Sequence, residues 1–193
     1  MTDERYHFTS DWFTRVIPAW RALFSLMSWS AHEPRLAVEI GSHEGRSALW
    51  TLEHVPGMQH PDSRIHCIDI WDQPVALANF QANVARFHRP EQIVMHQGPS
   101  SEALVRLPAG CADMVYVDGD HTAPGVLSDL VLGFRVLKLG GVMICDDYLW
   151  SRSTDILESP KLAIDMFTNI YRAKIALVSD LPLYQIMFLK MGH

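Results

Sequence analysis

The chain has 193 residues, a formal net charge of −6 and a hydrophobic content of 48%. This length and composition predict one soluble globular domain, spanning residues 1–193, that can bury a sizeable core. The negative charge gives no electrostatic reason to expect a nucleic-acid partner or an anionic membrane surface. Three cysteines without zinc-ligand spacing are expected to be reduced thiols, which favours a cytoplasmic protein.

The first 32 residues form an N-terminal segment in which apolar residues recur at helical spacing between positions 12 and 29. Two arginines and a proline interrupt this stretch, so it is not expected to span a membrane. The pattern predicts an amphipathic helix packed on the core. A homo-oligomer interface and a lid over a substrate cleft are less favoured interpretations of the same helix.

From residue 33 to 193, short apolar runs alternate with longer amphipathic ones. The predicted strands cover residues 36–40, 64–70, 92–95, 114–117, 141–146, 175–178 and 183–190. The predicted helices between them cover residues 45–53, 75–87, 101–107, 124–137 and 161–173. This alternation is typical of an α/β fold whose parallel sheet is covered on both faces. The last two strands are joined by residues 179–182 alone, which predicts an antiparallel hairpin at one edge.

The first predicted strand ends in an acid followed by a glycine loop. Glu39 precedes Gly41, and Gly45 opens the next predicted helix. Glycine lets the backbone approach a ligand closely, and open α/β sheets bind ligands beyond the carboxyl ends of their strands. The loop lacks the G-x-G-x-x-G fingerprint, which disfavours a nicotinamide or flavin cofactor. A plain glycine turn is the simpler alternative.

The second and third predicted strands end in segments that suit a nucleoside. Asp69 stands at the end of the second strand, where an acid commonly accepts hydrogen bonds from ribose hydroxyls, and Trp71 follows it. Asp69 could instead cap the next helix. Residues 98–101 form a turn and a helix start after the third strand, in a position to border an adenine ring.

Two further predicted strands stop abruptly on acids. Asp118, Asp120 and His121 follow one of them, and the pair Asp146 and Asp147 follows the other. Carboxylates at the ends of buried strands are costly to desolvate, and neighbouring strand ends lie about 5 Å apart. The pattern therefore predicts a divalent-metal site, or a repulsive cluster that needs another cation. Helix capping is the alternative for Asp118 and Asp120.

Three of these features, in this order, resemble the motifs of class I S-adenosylmethionine-dependent methyltransferases. They are the loop Glu39-Ile-Gly41, the ribose-binding acid Asp69, and residues 137–144, which resemble the turn into the family's fifth strand. The resemblance covers residues 33–190. It implies a Rossmann-like seven-stranded sheet of order 3-2-1-4-5-7-6, with strand 7 antiparallel and helices on both faces.

The same resemblance implies a transferase (EC 2.1.1.-) that binds S-adenosyl-L-methionine. The implied cofactor-binding residues are Glu39, Gly41, Ser42, His43, Gly45, Ser47, Asp69, Trp71, Gly98, Ser100, Ser101 and Asp118.

Within this class, the acids after the fourth and fifth strands are similar to those of metal-dependent O-methyltransferases. The match is to the macrocin- and novobiocin-type sugar enzymes, and more distantly to catechol-type enzymes. It implies that Asp118, Asp146 and Asp147 bind Mg²⁺ or another divalent cation. Asp120 matches the base of the sugar enzymes and His121 that of the catechol enzymes.

Spacing favours Asp120 as the base. Two residues along an extended strand end return a side chain to the same face, whereas the next residue, His121, points away unless the chain has already turned into its helix. The favoured function is O-methylation of a small hydroxylated acceptor, either sugar-like or phenolic. A metal-independent methyltransferase and a non-catalytic nucleoside-binding or protein-interaction domain remain alternatives.

Overall fold

The computed structural model describes residues 5–179 and 181–193. Residues 1–4 of the predicted N-terminal segment, and Asp180 in the predicted hairpin turn, lie outside the described residues. The strands are β1 (Leu36–Ile40), β2 (Arg64–Asp69), β3 (Ile93–Gln97), β4 (Ala112–Val117), β5 (Leu137–Cys145), β6 (Ile175–Leu177) and β7 (Ile186–Lys190). The α-helices are α1 (Ile17–Leu26), α2 (Arg46–His54), α3 (Pro74–Arg86), α4 (Ser100–Arg106), α5 (Ala123–Val136) and α6 (Pro160–Ile170). Short 3₁₀ turns cover Thr14–Val16, Pro90–Gln92 and Ile156–Glu158.

The seven strands form one sheet in the order β3-β2-β1-β4-β5-β7-β6. β1 pairs in parallel with both β2 and β4, and β7 pairs antiparallel with β5 and β6. The predicted strand order and the antiparallel seventh strand are therefore confirmed. The order reverses between β1 and β4, and a sheet of this kind opens a crevice at that reversal.

The strand ends differ from the sequence prediction at β5. This strand begins at Leu137, which pairs with Ala112 before an irregularity, and the regular ladder then resumes at Val142. A helix-to-strand turn was predicted for this stretch. The local pattern does not distinguish helix from strand at Leu137, because this residue is fully buried and both helices and strands contain fully buried positions.

Each face of the sheet carries its own apolar core. The alternation of side chains along β1 sends Ala37 to one face, and Val38 and Ile40 to the other. The first core includes α1, α2 and α3; the second includes α4, α5 and α6.

The predicted N-terminal helix is present as α1 and packs on the core. It buries Trp20, Leu23 and Phe24 while Leu26 remains exposed. Its apolar stripe is thus directed at the sheet, as the favoured interpretation required. No helix in residues 5–179 and 181–193 has the length and apolar character needed to cross a membrane.

Candidate active site

A cleft of about 990 Å³ lies beyond the carboxyl ends of the strands, where the strand order reverses. It collects most of the residues that the sequence singled out. The lining includes Gly41, His43, Asp69, Trp71, Gly98, Ser100, Ser101, Asp118, Asp120, His121, Asp146 and Asp147. A smaller cavity of about 60 Å³ shares Gly41 and His43 with the cleft and adds Ser42 and Ser47. Glu39 and Gly45 line neither cavity.

Backbone hydrogen bonds at and beside Gly41 join the end of β1 to the neighbouring strands β2 and β4. Gly41 N–H donates to the carbonyl of Ile68 at 2.8 Å, and Asp118 N–H donates to the carbonyl of Ile40 at 2.9 Å. Gly41 has φ +87°, and a Cβ there would lie 1.9 Å from the Asp118 carbonyl oxygen. Only glycine fits this position, because the obstacle is backbone and cannot move aside as a side chain would.

Asp69 orders two loops at the rim of the cleft. One carboxylate oxygen accepts His43 N–H at 2.8 Å, and the other accepts Trp71 N–H at 2.7 Å. The Trp71 indole N–H donates in turn to the carbonyl of His43 at 2.7 Å. These contacts hold the two loops together and keep Asp69 at the cleft surface.

Backbone strain is concentrated in the same place. Among the described residues, the non-glycine residues with positive φ are His43 (44°), Trp71 (43°) and Asp147 (55°), and all of them line the cleft. Such conformations cost free energy and persist only where the surroundings enforce them. Their clustering supports the cleft as the functional site.

Glu39 is buried beside the cleft without a hydrogen-bond partner for either carboxylate oxygen. Burial, with a smaller contribution from the Asp69 charge, raises its pKa to about 8, and the nearby Ser42 and Ser47 hydroxyls offset part of the shift. The Ser42 hydroxyl also has no partner. Unpaired buried polar atoms are costly, so this group suits a ligand that is itself polar.

The acids after β4 and β5 do converge, and Tyr116 lies between them. Its hydroxyl is 2.9 Å from Asp118 Oδ2 and also contacts Asp146 Oδ2. A phenol has one hydrogen, so a second proton or a cation is needed to satisfy both carboxylates. Burial, followed by repulsion from Asp146 and Asp147, raises the pKa of Asp118 well above its usual range.

Asp146 and Asp147 face different partners. Asp146 accepts the Asp147 N–H at 2.7 Å and the Gln185 side-chain amide at 3.0 Å. Ligand atoms of Asp118, His121 and Asp147 lie within 4.8 Å of one another, close enough to share one metal ion. Asp146 is not part of that group among the described residues, although the sequence placed it with Asp118 and Asp147.

The two candidate bases are arranged differently from the sequence expectation. Asp120 lines the cleft, but its carboxylate accepts Thr122 N–H at 2.8 Å and lies against Gly125 at the start of α5. His121 Nε2 lies 2.8 Å from Asp147 Oδ2, so His121 faces the acidic cluster. Both side chains line the cleft, and the alternation of an extended strand does not reach them because β4 ends at Val117 and the chain turns at once.

Several residues at the site were not predicted. Tyr116 could have been found, because it lies two positions before Asp118 on the same strand face. The Ser100 hydroxyl donates to Asp129 at 2.5 Å, and burial raises the pKa of Asp129 to about 6. Gln185 reaches the site only through tertiary packing, for which the local sequence carries no signal.

Comparison with known proteins identifies relatives of this chain. Residues 38–148 match the family described as a methyltransferase domain. A protein of Mycobacterium sp. (strain JLS), provisionally named an O-methyltransferase, is 32% identical over 129 residues, which is 67% of this chain and 55% of that protein. The chain thus matches about half the length of its curated relatives.

Solved structures share the fold. An O-methyltransferase of Bacillus cereus in complex with SAH aligns with a TM-score of 0.69 and 14% identity, covering 95% of this chain and 84% of that one. An SAH-bound methyltransferase of Podospora anserina aligns with a TM-score of 0.61 and 20% identity, covering 82% and 73%.

Replacing Gly41 by alanine tests the close backbone approach. Gly140 has a similar φ of +74° but open space around its Cβ position, which makes Gly140→Ala a matched control. We expect Gly140→Ala to lower the free energy of unfolding by about 1–2 kcal/mol, the cost of the left-handed conformation. Gly41→Ala should lower it further, because its Cβ overlaps the Asp118 carbonyl. Urea unfolding measures both changes, and an equal loss of unfolding free energy in Gly41→Ala and Gly140→Ala would contradict this account.

The pH dependence of stability tests the burial of Glu39. In the folded chain the pKa of Glu39 is raised from 4.5 to about 8. The favourable contribution of Glu39 to the free energy of unfolding is therefore fully present only below pH 4.5. Stability should then fall by about 1.4 kcal/mol per pH unit as the pH rises from 4.5 toward 8. Glu39→Gln should remove this contribution to the slope, measured by urea unfolding between pH 5 and 8. Glu102→Gln, at an exposed carboxylate, is the control. A wild-type slope in Glu39→Gln would overturn the assignment.

Proposed function

Because the chain belongs to the methyltransferase-domain family, within the class I S-adenosylmethionine-dependent methyltransferases, we propose that it is an O-methyltransferase that uses a divalent cation. The observation that carries the proposal is the single cleft in which Gly41, Asp69 and the acidic cluster meet. The acceptor is a small hydroxylated molecule, sugar-like or phenolic.

The residues around Gly41 fit S-adenosylmethionine. The Glu39 carboxylate and the Ser42 hydroxyl are buried without partners, as groups awaiting a polar ligand would be. Asp69 has both oxygens engaged by one backbone N–H each and retains lone pairs for the ribose hydroxyls. When bound, the cofactor supplies a methyl group activated on a sulfonium. The proposed contacts are Glu39, Gly41, Ser42, His43, Gly45, Ser47, Asp69, Trp71, Gly98, Ser100, Ser101 and Asp118.

The acidic cluster fits a divalent cation. Asp118 and Asp147 offer hard oxygen atoms, which Mg²⁺ prefers, and a cation there would offset the burial and the repulsion that raise the pKa of Asp118. We assign Asp118 and Asp147 as ligands; Asp146, the third ligand expected from the sequence, has its oxygens directed at protein donors. A bound cation lowers the pKa of a hydroxyl group that coordinates it.

His121 is the better placed base. With Nε2–H donated to Asp147, its Nδ1 is left to accept the proton of the acceptor hydroxyl. The ring also packs on Trp150, with centroids 4.6 Å apart, which limits its orientation. Asp120 is the second candidate, because its carboxylate already binds the start of α5. The order of the two bases is therefore reversed from the sequence prediction.

The acceptor end of the cleft is bordered by aromatic and basic side chains. Trp12 packs on His43 with centroids 5.2 Å apart, and Trp150 packs on His121. Arg15 and Arg152 line the same cleft. Aromatic faces bind flat or sugar-like molecules and exclude water from the reacting hydroxyl.

Metal removal tests the proposed activity. We expect methyl transfer from S-adenosylmethionine to a panel of small phenols and sugars to stop in EDTA and to return with excess Mg²⁺. Binding of the cofactor, measured by calorimetry, should change little in EDTA. Asp69→Ala should weaken that binding by about 1–3 kcal/mol, the cost of hydrogen bonds lost to a charged group. Full turnover in EDTA would favour the metal-independent alternative, and cofactor binding with no turnover on any acceptor would favour the non-catalytic one.

A pair of variants tests the base. His121→Ala should lower kcat by about 10²-fold or more, with unchanged affinity for S-adenosylmethionine. Asp120→Asn should affect kcat less and should change the free energy of unfolding little, because the amide oxygen can still accept the Thr122 N–H as the carboxylate does. An inactive Asp120→Asn beside an active His121→Ala would restore the order expected from the sequence.

A further inference from the structure

We propose that Gln185 is a positioning residue that connects α1 to the acidic cluster and holds Asp146 so that Asp147 is presented to the cation. The inference rests on the proposed cation site, and it assigns a role to a side chain that lies outside the matched methyltransferase region at residues 38–148.

A continuous row of hydrogen bonds carries the proposal. The indole N–H of Trp20, in α1, donates to Gln185 Oε1 at 2.9 Å. Gln185 Nε2 donates to Asp146 Oδ2 at 3.0 Å, and Asp146 Oδ1 accepts Asp147 N–H at 2.7 Å. Trp20 is 0% exposed and Gln185 3% exposed, so the first link of this row is shielded from water.

The two partners of Gln185 determine the orientation of its amide. An indole N–H can only donate, and an ionised carboxylate can only accept. Turning the amide over would set its NH₂ against the Trp20 N–H and its oxygen against Asp146. Both contacts would then be unfavourable in a buried place, where an unmet polar group is costly. Trp20 therefore fixes which end of Gln185 meets Asp146.

The register of the sheet places Gln185 where it can act. Cys145, the last residue of β5, pairs with Ile186, the first residue of β7. Asp146 and Gln185 are the next residues outward on these antiparallel strands, so they lie side by side at the edge of the cleft. The position of Asp146 is thus coupled to α1 and β7 as well as to its own strand.

Asp146 passes this restraint to Asp147. Its two oxygens accept from Tyr116, Gln185 and the Asp147 backbone. Asp147 has φ 55°, an unfavourable conformation for aspartate that must be held by its surroundings. The hydrogen bond from its N–H to Asp146 helps to hold it and directs the Asp147 side chain toward Asp118 and His121. Partners that orient a metal ligand in this way commonly contribute 10–100-fold to metal affinity.

The test compares three variants of the full chain. Gln185→Leu removes both hydrogen bonds and keeps the bulk, whereas Trp20→Phe removes only the indole N–H and keeps an aromatic ring. Trp50→Phe is the control, because Trp50 belongs to the same aromatic cluster, 5.7 Å from Trp20, and lies outside the row of hydrogen bonds. For each variant we would measure Mn²⁺ affinity by electron paramagnetic resonance, S-adenosylmethionine affinity by calorimetry, and the melting temperature.

We expect Gln185→Leu to weaken Mn²⁺ binding by about tenfold or more while leaving cofactor affinity within about twofold of wild type. Trp20→Phe should change Mn²⁺ binding in the same direction by a smaller factor, and Trp50→Phe should leave it unchanged. If Gln185→Leu does not fold, Trp20→Phe against Trp50→Phe decides the question.

Three results would overturn the proposal. Unchanged Mn²⁺ affinity in Gln185→Leu, or in Trp20→Phe where Gln185→Leu does not fold, would show that the row of hydrogen bonds does not position the cluster. Equal losses of Mn²⁺ and cofactor affinity would indicate a merely structural role. A wild-type chain that binds S-adenosylmethionine but no Mn²⁺ would remove the cation site itself, so this failure of the proposed function is distinguished from a failure confined to Gln185.

Discussion

The close contact between β1 and β4 is the constraint on which the rest of the site depends. These strands lie at the reversal of the strand order, and Gly41 approaches the Asp118 carbonyl so closely that no side chain fits between them. This contact brings the glycine loop after β1 beside the acids after β4. The glycine loop and the acidic cluster are therefore parts of one surface, where the proposed methyl donor and its proposed acceptor would meet.

Burying several acids at the end of a sheet has a large free-energy cost. The structure offsets this cost with hydrogen bonds for some of the acids and leaves others without enough donors. Asp69 is stabilised by two backbone N–H groups and Asp146 by protein donors on both oxygens. Neither carboxylate oxygen of Glu39 has a hydrogen-bond partner, and Tyr116 cannot satisfy Asp118 and Asp146 with its single hydrogen. Among these acids, the ones that remain unsatisfied, Glu39 and Asp118, are those proposed to meet the cofactor and the cation. This is the expected pattern where stability is sacrificed for function.

The N-terminal helix α1 packs on the sheet and is also hydrogen-bonded to Gln185 beside the acidic cluster. Its apolar stripe packs against the sheet through Trp20, Leu23 and Phe24, which is the role of an ordinary amphipathic helix. Trp20 also directs its one polar atom at Gln185 and so enters the hydrogen bonding of the acidic cluster. A residue that hydropathy alone assigns to the core thereby contributes to the proposed chemistry, because tryptophan combines a large apolar surface with a donor that needs a partner.

The sequence by itself predicted an α/β sheet with an antiparallel hairpin at one edge and the convergence of the acids after β4 and β5, and its resemblance to class I S-adenosylmethionine-dependent methyltransferases predicted the strand order. Alternating strands and helices leave few topologies, and the carboxyl ends of parallel strands meet at one edge of the sheet. Only the tertiary structure decided which side chains face each other. His121 turns toward Asp147, Asp120 turns to α5, and Gln185 meets Asp146 across β5 and β7. Side-chain direction after a strand depends on the φ and ψ angles of one or two turn residues and on partners distant in the sequence, neither of which a local residue pattern records.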